Sequence, residues 1–197
     1  TVSGADTLIP EATASPGELS LKNGDAIIGT ACFESPKKFR LKGMDSTMIL
    51  LPDSVLVSEK RLEIERINDD SYKISNRDEY GTSRYVLSCL NGSLSYSPDR
   101  GIFTLRPDKS NGFEILVEET DSTWYVEGVN KDFDKCVADN QADFELWLSK
   151  MPSLPEKYSE SRRLAAYILW SCKIDKGGNF KRPGILMSKN WMHYIWS

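Results

Sequence analysis

Histidine is almost absent from this chain: one residue, His193, in 197. Any Ser-His-Asp or Cys-His relay would have to use it, and no GxSxG elbow surrounds a serine. Metal chemistry is poorly supplied too. The four cysteines, Cys32, Cys89, Cys136 and Cys172, stand far apart, without a CxxC or CxxH pair, which argues against a structural zinc site. They read as free thiols packed as small hydrophobes. Asp132, Asp134 and Asp139 are close in sequence but lack EF-hand spacing and its terminal Glu, so they read as a solvated loop. No GxGxxG or GxxxxGKS/T phosphate loop occurs, and no cofactor is expected.

Long apolar runs are missing as well. The longest, Leu164 to Trp170, is far short of the roughly 18 residues a membrane-spanning helix needs, so no membrane partner is expected. The stretch TVSGADTLIPEATASPGE has neither a basic start nor an apolar h-region. With the free thiols this leans towards the cytoplasm; a processed chain would look the same, which leaves secretion or the periplasm open. Net charge is −4, and nothing in that balance favours nucleic acid, whose phosphates call for clustered Lys and Arg. The acid is unevenly spread. After Asp175 there is no Asp or Glu, only Lys176, Lys181, Arg182 and Lys189.

What is present is a long β-type region followed by a helical one. Residues 1–20, rich in Ser, Thr, Ala, Pro and Gly, read as a lead-in arm, and 21–140 as a β-sandwich domain. Leu62 and Ile64 alternate with Glu63 and Glu65, a period of two. Asn68-Asp69-Asp70 supplies a turn, and Tyr72-Lys73-Ile74 resumes the alternation. RYVLSCL, Asn91-Gly92 and SLSY predict a hairpin, because Asn-Gly tolerates a type I′ turn. On that reading the sequon Asn91-Gly92-Ser93 is a turn rather than a glycosylation site. IFTL (102–105), FEILVEE (113–119) and TWYVEGV (123–129) complete the predicted strands. Their number and spacing favour an antiparallel sandwich.

The period changes near residue 141. QADFELWLSK (141–150) predicts a short helix ended by Pro152. Ser153-Leu154-Pro155-Glu156 has the form of a capping box. The helix it would open, about 157–174, carries Leu164, Ala165, Ile168, Leu169 and Cys172 as one apolar stripe, with Tyr167 and Trp170 on another side. A helix apolar on more than one face needs partners on more than one face. Gly177-Gly178 supplies its stop.

The last nine residues, KNWMHYIWS, concentrate rings and polar groups. Such a set can fill a core, form an interface, or hold a sugar, whose C–H faces stack on indoles while hydroxyls meet polar side chains. Composition does not choose among the three. The run from Ser161 to Ser197 resembles the opening of the catalytic domain in bacterial glycoside hydrolases related to family 63, the group of processing α-glucosidase, trehalase and debranching enzymes. The matching parts are Arg182-Pro183, Ser188-Lys189, Trp191-Met192 and Trp196-Ser197, in a loop of the type "rP…SK.WM…WSWD". The specific match covers about 40 residues.

The resemblance implies a mainly β chain: an antiparallel β-sandwich domain, then over 141–197 a helical linker and the first helices of a truncated (α/α)6 barrel. It implies an inverting α-glycosidase acting on oligosaccharides, whose partner is the remaining barrel of the same polypeptide. Trp191, Trp196 and Tyr194 would be sugar-facing rings, with Lys189, Asn190 and His193 as polar helpers. Met192 and Ile195 would pack against other barrel helices. The family pattern continues with Trp-Asp, and its catalytic acid and base lie further along, so no catalytic residue is assigned and this piece alone is expected to be inactive. The alternatives are a non-catalytic carbohydrate-binding sandwich and a structural or interaction domain.

Overall fold

The computed structural model describes residues 9–185, except 45, 53, 79, 80, 110 and 175–180. Two compact units divide the chain, one ending at Ala138 and the other beginning at Asp139.

The first unit is built on eight antiparallel strands. In chain order these are β1 (Glu11–Ala14), β2 (Leu19–Asn23), β3 (Ala26–Ser35), β4 (Lys38–Gly43), β6 (Leu62–Asn68), β7 (Ser71–Asp78), β8 (Gly81–Asn91) and β11 (Phe113–Thr120). Their order across the sheet is β1-β2-β3-β4-β11-β8-β7-β6. A second sheet has the order β5 (Met48–Leu50), β10 (Ile102–Arg106), β9 (Ser93–Ser97). A short helix α1 (Ser54–Ser58) lies between β5 and β6 in the chain.

The two sheets share one core. Ala31, Leu41, Tyr72, Leu87, Phe113 and Ile115 from the large sheet pack with Leu94, Phe103 and Leu105 from the small one. Tyr72 meets Phe103 edge to face across the layers, centroids 5.3 Å apart, and Tyr96 meets Phe103 at 4.7 Å. Along the large sheet the inward residues are register partners: Ala31 opposite Leu41, Leu41 opposite Ile115, Ile115 opposite Cys89. Period two thus becomes a continuous apolar face, as a sandwich requires.

Several local expectations change, among them the loop reading of Asp134 and Asp139, which lie in the helix α2, Phe133–Ser149. The lead-in stretch carries two strands, joined by a turn in which Ser15 and Glu18 bond reciprocally; small polar residues hid an edge strand that is exposed along its whole length. Asn91-Gly92 does not close a hairpin. β8 pairs with β7 and β11, and β9 with β10, so the dipeptide is a corner where the chain passes from one sheet to the other. Gly92 has φ +82°, and a Cβ there would stand 2.5 Å from the Arg106 carbonyl oxygen. Asn91 ties the corner down by donating its side-chain amide to the Asn111 and Gly112 carbonyls. TWYVEGV is not a strand, for reasons given below. The first long helix starts early: α2 runs Phe133–Ser149, because Asp132 Oδ1 accepts the Asp134 amide at 2.9 Å and caps it.

The second unit continues α2 and adds α3 (Ser159–Ser171), preceded by a 3-10 turn at Glu156–Tyr158. Ser153 does not cap it; the residues preceding the 3-10 turn and α3 are Pro155 and Tyr158, without a side-chain cap. Arg162 instead reaches back to the Leu148, Met151 and Pro152 carbonyls, closing the C-terminus of α2, where a cation also suits the helix dipole. Helix α3 stops at Ser171, ahead of Gly177-Gly178, because the chain enters a two-strand ladder, β12 (Lys173–Ile174) with β13 (Gly184–Ile185).

Candidate functional site

Helix α3 has two different sides. Phe144 on α2 is fully buried. It meets Tyr167 and Trp170 edge to face at 5.9 and 5.7 Å, and the Arg163 guanidinium lies 5.0 Å from its ring centre. Trp147 donates its indole N–H to the Ala166 carbonyl at 3.0 Å. Asp143 accepts from the Trp170 indole at 2.7 Å and from Lys173 at 3.0 Å. The aromatic side therefore finds its partner in α2. Among the described residues the aliphatic side does not: Leu164 is 60% exposed and Ile168 53%, and Leu169 is exposed too.

The indole hydrogen bond from Trp170, with Lys173 beside it, holds Asp143 below the usual carboxylate range. Glu145 is held down in the same way by Arg163. A general acid needs a carboxyl that keeps its proton near neutral pH. These two behave as ion-pair partners instead. Among the described residues no group of three or more His, Cys, Asp or Glu side chains could hold a metal ion.

The six residues expected to face a sugar, Lys189, Asn190, Trp191, His193, Tyr194 and Trp196, lie outside the described residues. So do Ser188, Met192, Ile195 and Ser197 of the same reading. Of the motif, Arg182 and Pro183 are described; both are exposed and directly precede β13. The β12–β13 ladder pairs Gly184, the residue after Pro183, with Ile174.

A second cluster was not anticipated. On the large sheet, the face turned away from the shared core carries Glu34, Lys38, Arg40, Glu114 and Glu118. Lys38, Arg40 and Glu118 are only 4–5% exposed. Residues 121–132 and the first turn of α2 cross this face. Lys73 on β7 sits 5.2 Å above the Trp124 ring. Glu118 on β11 accepts the amides of Glu127 and Gly128 at 2.7 and 3.1 Å. Lys38 on β4 donates to the Gly128 carbonyl at 2.9 Å. Glu34 on β3 accepts the Asn130 amide at 2.9 Å, and Arg40 donates to the Lys131 carbonyl at 2.6 Å. Phe133 and Cys136 then pack with Cys32, and Val137 lies against Gly17 in the β1–β2 turn.

This segment is a strap laid across the strands, and its backbone bonds go to side chains rather than to a ladder. That is why TWYVEGV is no strand. Trp124 takes φ +60°, a left-handed value rare for a bulky residue, inside a turn whose amides and hydroxyl bond to Asp121. Burial opposes the charged form of Lys38, yet the carboxylates of Glu127, Glu118 and Glu34 outweigh it and raise its pKa. The legible signal was charge alternation. Lys38, Arg40 and Lys42 alternate with Phe39 and Leu41, while Glu114 and Glu118 alternate with Ile115 and Val117. The two sets are cross-strand partners, Lys42 opposite Glu114 and Lys38 opposite Glu118.

No protein-family model matches the chain, and no curated protein matches it significantly.

Proposed function

We propose that the chain is the N-terminal portion of an inverting α-glycosidase of the family-63-related group, acting on oligosaccharides. In this reading the β-sandwich precedes the first helices of an (α/α)6 barrel, and the barrel supplies the catalytic carboxyl pair. The observation that carries it is the motif run Arg182-Pro183, Ser188-Lys189, Trp191-Met192, Trp196-Ser197. The mainly β first unit followed by a helical unit is the order of elements that reading requires. Trp191, Trp196 and Tyr194 stack on the sugar, and Lys189, Asn190 and His193 bond its hydroxyls. Inversion needs two carboxyl groups roughly 6.5–9.5 Å apart, with a water between sugar and base.

The test has two arms. The reading frame after Ser197 should continue with Trp-Asp and several hundred further residues. The protein it encodes should hydrolyse an α-glycoside with inversion, read by the anomeric signals of the first product, while the 197-residue chain alone shows no turnover. A stop codon directly after Ser197, or hydrolysis by the purified 197-residue chain, overturns the reading.

A further inference from the structure

We propose that Cys32 and Cys136 are a dithiol–disulfide pair: a chain that folds in an oxidising thiol buffer joins them, stapling β3 to the first turn of α2, while a chain that folds under reductant keeps both as packed thiols. This inference is independent of the glycosidase reading. Cys32 and Cys136 are 3% and 2% exposed and share one small cluster with Phe133. Both meet the same side chain. Cys32 lies directly opposite Arg40 across β3 and β4, so the two occupy one face of the sheet. Arg40 in turn donates to the Cys136 sulfur at 3.8 Å. Burial raises the Cys32 thiol, and the Cys136 thiol raises it further, as a near neighbour does. The other two cysteines do not share this cluster. Cys89 packs against the shared core on the opposite face of the large sheet, with its thiol on the Asn91 carbonyl at 3.0 Å. Cys172 belongs to the second unit.

The bond is made while the chain folds, because the folded pair is closed to solvent. In the unfolded chain each thiol ionises near its ordinary value. One thiolate attacks the disulfide of oxidised glutathione, releasing one glutathione thiol and leaving a mixed disulfide. As the strap settles on the sheet it brings the second cysteine alongside. Its thiolate attacks the protein sulfur of the mixed disulfide and expels the second glutathione thiol. Two protein thiols and one glutathione disulfide thus become one protein disulfide and two glutathione thiols, with both thiol protons accounted for. The finished bond lies in the same closed cluster, where reductant has no access. It closes a loop of about 100 residues, which takes conformational entropy from the unfolded chain. The start of α2, held in the reduced chain by packing and hydrogen bonds, is then fixed to β3 covalently.

The whole 197-residue chain tests this. It is reduced, unfolded in urea and refolded either under reductant or in a mixture of reduced and oxidised glutathione. The oxidised product should be a single chain lighter by two hydrogens, and its non-reducing peptide map should link the peptides that hold Cys32 and Cys136. Its urea midpoint should stand about 1–2 M above that of the reduced chain, the size set by a loop of about 100 residues and the usual urea slope. The double variant Cys89→Ala, Cys172→Ala should form the same link with the same shift, and Cys136→Ala should show neither. Glutathione left on the protein, links through Cys89 or Cys172, chains joined to one another, or thiols that all stay reduced overturn the inference. So does a chain linked as expected whose midpoint does not rise, because the folded positions then fail to accommodate the bond. If Cys136→Ala does not fold, oxidised against reduced wild type still decides.

Discussion

At Gly92 two constraints meet. The backbone is left-handed, and the space a Cβ would fill is taken by the Arg106 carbonyl and the Phe113 side chain. Gly112 repeats the situation opposite Gly43, whose carbonyl oxygen stands 2.1 Å from the position of its missing Cβ. Gly92→Ala should therefore destabilise the first unit by about 2–4 kcal/mol, combining φ strain with a clash against backbone that cannot yield. The midpoint of urea unfolding measures it. Asn-Gly signalled the positive φ correctly. It did not give the turn type: a type I′ turn needs positive φ at both central residues, and of the pair only Gly92 has it.

Cysteine chemistry belongs to the same scale. Burial, with the Cys136 thiol adding to it, pushes the Cys32 thiol up to about 12, and burial raises Cys136. The thiolate is the reactive form. At pH 8 the native chain should leave Cys32 and Cys136 unmodified by iodoacetamide, and both should react in denaturing urea. Peptide mass mapping reads the difference. The sequence had indicated packed free thiols, and all four are free. That Cys32 and Cys136 share one cluster was invisible, since 104 positions separate them and only the strap brings them together.

Among the elements, α3 was the clearest in the sequence, and its two-sidedness is real. Among the described residues, the aromatic side is covered by α2 and the aliphatic side is open. Phe144→Ala should cost about 3–5 kcal/mol, the range for emptying a buried aromatic site. Leu164→Ala and Ile168→Ala in the same chain should stay within about 0.5 kcal/mol of wild type, as exposed positions do. Thermal melts followed by circular dichroism at 222 nm compare the three. A large loss at Leu164 would mean that its stripe is covered in solution. The helix ends were read less well. The predicted capping box is not formed at the start of α3, and the end of α2 is closed by Arg162, a cation ten residues after Pro152 that satisfies three carbonyls at once. Capping by a residue from a following helix leaves no contiguous pattern to find.

Over the whole chain, the sheet order depends on β11. It comes last of the large sheet's strands in sequence and sits in the middle, between β4 and β8. It welds the β1–β4 meander to the β6–β8 meander and carries both faces: Ile115 inward, Glu114 and Glu118 towards the strap. FEILVEE reads as a strand from its own residues, but its neighbours are fixed by contacts with positions about 30 and 75 residues away. The expected sugar-facing stretch from Lys189 to Trp196 lies outside the described residues.

Sequence alone determined what short-range patterns can encode: a β region with an alternating apolar face, a change to helical period, a two-sided helix and free thiols. Tertiary structure decided which strands are neighbours, that Asn91-Gly92 turns between layers, and that a segment rich in β-formers lies across the sheet as a strap. The physical reason is the range of the forces. Alternation and turn chemistry act within a few residues. A backbone group that finds Glu118 or Arg40 as its partner in place of a neighbouring strand does so only after the sheet that presents those side chains has formed.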